Sequence, residues 1–167
     1  MTILDKINAN KRIEIEAAKA SVSVAELESS VLFDRKCLSL KDSILTKSGI
    51  IAEFKRQSPS KGVINAFSTP AEVAKGYQNA GVSAMSCLTD KDYFGGTFDD
   101  LKAVRAAVEL PILRKDFMLD EYQLFEAKAI GADIVLLIAS SLSVLKTKEL
   151  AKFAKDLPLN ISVSLSI

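Results

Sequence analysis

The chain contains no histidine, so proton transfer near neutral pH would have to run through lysine, carboxylate, tyrosine or cysteine groups whose pKa values their surroundings adjust. That excludes a Ser-His-Asp triad and a histidine-rich metal site. There are two cysteines, Cys37 and Cys87, too few for a disulfide framework or a four-ligand zinc site. Cys87 lies in an apolar run, and both are expected to be reduced core residues. Charge of one sign is never concentrated: 22 Lys plus Arg against 21 Asp plus Glu leave a formal +1, which gives a polynucleotide or an anionic membrane no strong field to follow. Long apolar runs are missing too. The longest extends from Ile134 to Ala139, and the first 19 residues carry charges every few positions, so neither a membrane span nor a signal peptide is expected. These absences point to a cytoplasmic protein with no nucleic-acid or membrane partner.

What is present suits one folded domain: 167 residues, 49% hydrophobic and 26% charged. Thr2 with Asp5 predicts a capped helix to about Ala20, and a second helical piece is expected from Val24 to Ser30. Thr69 before Pro70 starts a helix that Gly81 ends, and Thr97 with Asp100 starts another reaching about Val108. Further helices are expected over Asp120 to Ile130 and over Ser143 to about Asp156. Between them lie short apolar runs that read as strands: Gly49 to Phe54, Ala84 to Leu88, Pro111 to Leu113, Ile134 to Ala139 and, less sharply, Ile161 to Ile167.

From residue 49 onward strands and helices alternate, which predicts an α/β fold with a parallel sheet. A doubly wound open sheet and a (β/α)8 barrel both fit. The first βα turn, Ser58-Pro59-Ser60-Lys61-Gly62, is not a glycine-rich dinucleotide turn and tilts the choice toward the barrel. A closed barrel needs eight strands and usually about 250 residues. Five strands are expected here, an incomplete (β/α)8 TIM barrel over residues 49–167 behind an N-terminal helical extension at 1–48.

In Ile50-Ile51-Ala52-Glu53-Phe54-Lys55-Arg56 the two-residue period of a strand puts Glu53 and Lys55 on one face and Ala52 and Phe54 on the other. Pro111 to Phe117 again brings charge, Arg114, Lys115 and Asp116, to the C-terminal end of a parallel strand, where barrel enzymes place catalysis. Rim ion pairs are the alternative for each strand, and agreement between two strands favours a site. The Ser58 to Gly62 loop could hold an anion or be an ordinary turn. In Thr89 to Gly96, Tyr93 and Phe94 beside two glycines suit a loop that closes over an aromatic ligand, or one anchored on the core by Phe94. Phe117 carries the same two readings.

The runs IIAEFKRQSPSKG (50–62), LTDKDYFGG (88–96), PILRKDF (111–117) and GADIVLLIAS (131–140), in this order, closely resemble the indole-3-glycerol phosphate synthase family of (β/α)8 barrels. The likeness extends over the helical start and is expected to end near residue 157. It implies ring closure of 1-(2-carboxyphenylamino)-1-deoxyribulose 5-phosphate with loss of carbon dioxide and water, without metal or organic cofactor. By the same resemblance Lys115 matches the general acid that protonates the ribulose carbonyl. Lys55 matches the lysine that holds the substrate's anionic groups, and Glu53 the carboxylate beside it. Ser58 matches a serine near the polar groups of the substrate, and Phe94 and Phe117 the aromatics packed on the anthranilate ring.

The family's fifth strand carries a catalytic glutamate in a pattern like LLEVH. Here Leu157 to Ile167 reads LPLNISVSLSI, which puts Ser164 at that place. Truncation is the expected explanation, ahead of a genuine short protein. An unclosed barrel also leaves strand edges that invite self-association. The alternative function is a non-catalytic half-barrel fragment or interaction partner; a phosphoribosyl-isomerase-like barrel is weaker, because it leaves the AEFKRQSPSKG run unexplained.

Overall fold

The computed structural model describes residues 2–64 and 66–165. Local signals set the helices. α1 (Ile3–Ser21) and α2 (Val24–Glu28) each begin at a reciprocal capping box, Thr2 with Asp5 and Ser23 with Glu26, which satisfies backbone donors the helix leaves open. α3 (Leu40–Thr46) was not expected. Seven residues are too few to show a helical period, and its start rests on Ser39 accepting from the Asp42 amide.

The chain then alternates: β1 (Ile51–Phe54), β2 (Gln57–Ser58), β3 (Gly62–Val63), α4 (Pro70–Asn79), β4 (Ala84–Leu88), α5 (Phe98–Ala107), β5 (Ile112–Lys115), α6 (Tyr122–Ala129), β6 (Ile134–Ile138), α7 (Val144–Asp156) and β7 (Asn160–Ser164). The first βα turn is therefore a small antiparallel hairpin, with Gln57 paired to Val63 and Ser58 to Gly62. β7 bears out the fifth apolar run, although its last two positions, Ser166 and Ile167, lie outside the described residues.

The five-stranded sheet has the order β1-β4-β5-β6-β7 and every pairing is parallel. Each new strand adds on the same side of the last. A doubly wound sheet must reverse its order at a switch point, and this one does not, so the architecture is that of a barrel wall. The register sorts the side chains. Phe54, Met85, Cys87, Ile112, Val135 and Leu137 face α4, α5, α6 and α7 in one apolar core. On the other face Ala84, Leu113, Ile134, Leu136 and Ile138 pack with Phe117, with Ile7 of α1 and against Leu40 of α3.

The helices before β1 are thus bound to the inner face as well as to the wall. Asn160 at the start of β7 donates to the Leu38 carbonyl and accepts from the Leu40 amide, tying the α3 entry to the barrel's N-terminal end. No described helix is long and apolar enough to cross a membrane.

Candidate active site

Parallel strands in register point paired residues to the same face. Glu53 pairs with Ser86, and Leu88 with Lys115, so Glu53, Lys55 and Lys115 share the inner face at the C-terminal ends of β1 and β5. Their side chains meet. Lys115 Nζ donates to Glu53 Oε2 at 2.6 Å, and Lys55 Nζ lies 3.1 Å from Glu53 Oε1. One carboxylate holds two ammonium groups apart, each oxygen serving one lysine.

Burial alone would push the Glu53 carboxyl up, but hydrogen bonds and charge from Lys115 and then Lys55 outweigh it and hold it below the usual carboxylate range. With Glu53 ionised the trio carries a net +1. It is also accessible: the side chains of Lys115, Lys55 and Glu53 are 41%, 31% and 29% exposed. Each ammonium keeps donors free for an anionic or carbonyl oxygen.

The neighbouring cations go elsewhere. Arg56, one residue past Lys55, turns to the other face, grips Asp100 through two nitrogens at 2.7 and 3.1 Å and lies over the Phe54 ring. Arg114 likewise points away from Lys115, into the wall, where it meets Asp116, Glu126, Thr89 and the Gln123 carbonyl. For these two arginines the ordinary ion-pair reading of strand-end charge is correct. Only the inward lysines reach the open face.

Phe94 and Phe117 border the trio. Phe117 follows Lys115 by two residues, and Gln57, two beyond Lys55, donates its amide to the Phe94 carbonyl at 3.3 Å. The rings lie 6.2 Å apart, tilted by 34°. Phe117 is buried and Phe94 half-buried on the inner apolar cluster, so both aromatics are anchored on the core. The loop reaches this position through Gly96: a β-carbon there would sit 2.2 Å from the Leu88 carbonyl oxygen, so no other residue lets the chain pass this close to β4.

Ser58 is buried in the hairpin. Its hydroxyl accepts from the Lys61 amide at 3.2 Å and lies 3.4 Å from Ser60 Oγ, which shapes the turn beside the site. Ser164 ends β7 in register with Ile138, on the inner face. One inward residue escaped the sequence reading: Ser86, between Glu53 and Leu113 in the sheet, whose buried hydroxyl has no hydrogen-bond partner among the described residues. The usable signal was a hydroxyl at inward parity in an otherwise apolar strand. Among the described residues no group of three His, Cys, Asp or Glu side chains could hold a metal ion.

A barrel wall with two lysines on one carboxylate and an aromatic pair beside them narrows the field, and comparison with known proteins agrees. The family model for indole-3-glycerol phosphate synthase matches residues 4–166, so the likeness continues through β7 rather than stopping near residue 157 as the sequence reading had it. A protein of that name from Bacteroides thetaiotaomicron is 46% identical over 160 residues, covering 95% of this chain and 62% of the relative. Another from Arthrobacter is 41% identical over 169 residues, covering 98% of this chain and again 62% of the relative. The chain spans less than two thirds of the length of these relatives. Over that span it belongs to the indole-3-glycerol phosphate synthase family, a family of TIM barrels.

Proposed function

We propose that this chain supplies the acid lysine, the anion-holding lysine and the aromatic wall of an indole-3-glycerol phosphate synthase. The observation that carries the reading is Glu53 held between Lys115 and Lys55 at 2.6 and 3.1 Å. The substrate would be 1-(2-carboxyphenylamino)-1-deoxyribulose 5-phosphate, its ring against Phe94 and Phe117. Lys115 gives its proton to the ribulose carbonyl oxygen, which makes the carbon electrophilic. The ring carbon bearing the carboxylate attacks, carbon dioxide leaves while the electrons of its bond return to the ring and restore aromaticity, and the new hydroxyl with a hydrogen of the neighbouring methylene leaves as water to complete the indole. Lys55 holds the substrate's anionic groups while Glu53 keeps both ammonium groups oriented, and Ser58 lines the polar side through its hairpin. In this reading residues 1–48 are an extension and 49–167 the catalytic wall.

A second reading, an assembly partner without turnover of its own, is favoured by the exposed apolar side chains at the two sheet edges: Ile50 and Ile51 at β1, and Val163 and Leu165 at β7. One assay separates the two. Indole fluorescence is followed with the 167-residue chain alone and with a polypeptide carrying the rest of the relatives' length. The expected result is binding by the chain alone and turnover only in the mixture. A mixture that assembles yet forms no product overturns the enzymatic reading.

A further inference from the structure

α1 presents Ile7, Lys11 and Ile15 to the protein, one helical turn apart, and all three are at least 95% buried. A leucine at the middle position would dock the helix as well. Lys11 instead places Nζ 2.9 Å from Asp90 Oδ2, 3.0 Å from Asp116 Oδ1 and 2.7 Å from Glu14 Oε2. The first two carboxylates organise the loops that carry the aromatic wall. Asp90 accepts the Tyr93 amide on Oδ1 at 2.9 Å and the Gly96 amide on its carbonyl at 2.8 Å, closing the loop that holds Phe94. Asp116 accepts the Phe117 amide at 2.9 Å on the same oxygen that meets Lys11, and the Thr89 hydroxyl on the other at 2.7 Å. A second tie runs in parallel: Asn10 Nδ2 donates to Asp92 Oδ2 at 2.9 Å.

One ammonium group on the N-terminal helix therefore joins the hub of the loop after β4 to the hub of the loop after β5. We propose that Lys11 is a positioning residue: through Asp90 and Asp116 it sets the spacing of Phe94 and Phe117, and so the slot that receives an aromatic carboxylate. This rests on the aromatic-substrate reading above and adds to it a role for α1. Glu14, at the surface end of the cluster, is the third carboxylate on the ammonium group.

The test uses the 167-residue chain, amide hydrogen exchange, and N-methylanthranilate as a fluorescent probe of the slot. Lys11→Met is expected to speed exchange at least tenfold in residues 90–96 and 117–119 while β6 and α7 stay as they were, and to weaken probe binding about fivefold or more. Asp90→Asn, which leaves Lys11 paired with Asp116, is expected to loosen residues 90–96 alone. Exchange that rises uniformly over the chain, or does not rise in the two loops, overturns the proposal, as does unchanged probe binding with loosened loops. If the unsubstituted chain fails to bind the probe, the aromatic-substrate reading falls, and with it the slot that Lys11 was proposed to set, whatever exchange then shows of the tie itself.

Discussion

Arg114, Lys115 and Asp116 are consecutive, yet they belong to two different charge clusters. Arg114 and Asp116 are 2% and 3% exposed and sit in a closed network with Lys11, Thr89, Gln123 and Glu126. Lys115 is on the opposite face, accessible, sharing Glu53 with Lys55. In the first cluster charge meets charge, the Thr89 hydroxyl or a backbone group, and the Phe98 ring covers the guanidinium at 4.6 Å. In the second, donors are left over. A cluster whose charges are buried and paired holds the fold; one with spare donors at an open face can meet a ligand. The largest expected effect breaks the closed cluster. Arg114→Met strands Glu126 as a buried carboxylate and leaves Asp116 with Lys11 as its one cation, and should lower the unfolding free energy by about 3–5 kcal/mol. Urea denaturation followed by circular dichroism checks it, and a loss under about 1 kcal/mol would show that the two clusters do not differ in kind.

The matching change in the open cluster should have the opposite profile. Lys115→Met removes an ammonium group whose side chain is 41% exposed, so its stability effect should stay within about 1 kcal/mol. In the chain assembled to the relatives' full length, turnover should fall by about 10²-fold or more with little change in KM, because an acid acts on the transition state. A rise in KM with kcat intact would reassign Lys115 to binding.

Acid separates the clusters next. Burial raises the Asp116 pKa, but Arg114 and then Lys11 outweigh it and bring the carboxyl down to about 2. A carboxyl depressed in the folded state lends stability that is present above its unfolded pKa near 4 and is lost as pH falls toward 2. The amount is roughly 2 kcal/mol. Glu126 acts in the opposite sense: burial holds it above its usual range, so protonating it on the way down favours the fold. Lys11 is raised, since Asp116 and Asp90 outweigh the burial that would lower it, and its contribution persists through neutral pH and fades only in strong alkali. The urea midpoint should therefore drop most steeply between about pH 4 and pH 2. Asp116→Asn should flatten that drop, and a slope unchanged in the variant would place the acid-sensitive group elsewhere.

How much of this could be read in the sequence follows the range of each interaction. Thr2 with Asp5, Thr69 with Glu72 and Thr97 with Asp100 are bonded within one helical turn, so the helix starts were legible. The parity of Glu53 and Lys55 was legible because a strand alternates whatever packs on it. Strand parity points Lys115 to the same C-terminal pocket as Glu53 and Lys55, where the structure has it; β5 is expected only over Pro111 to Leu113, short of its observed end at Lys115, so the outward turn of Arg114 was not legible. α3 and the β2–β3 hairpin are too short for periodicity. Lys11 falls in the stripe of Ile7 and Ile15, where a lone charge looks like a helix-surface residue; its partners Asp90 and Asp116 lie far along the chain and leave no local mark.

The smallest effect tests the comparison at its finest grain, on Ser86. This hydroxyl is 94% buried by its residue exposure of 6%, lies in register with Glu53 and has no partner among the described residues. An unpaired buried hydroxyl costs about 1–3 kcal/mol, whereas the methyl of alanine fits the same space without that penalty. Ser86→Ala should therefore stabilise the chain, by about 1 kcal/mol after the lost contacts of the oxygen are counted. A position that lowers stability on the face holding the two lysines is what a site built for a ligand leaves behind. Paired urea curves decide the sign. A loss of stability would mean that Ser86 is already hydrogen-bonded in solution and belongs with the closed cluster. A gain, with N-methylanthranilate binding weakened in the same variant, would put it with Glu53, Lys55 and Lys115 as a group whose partner is the ligand.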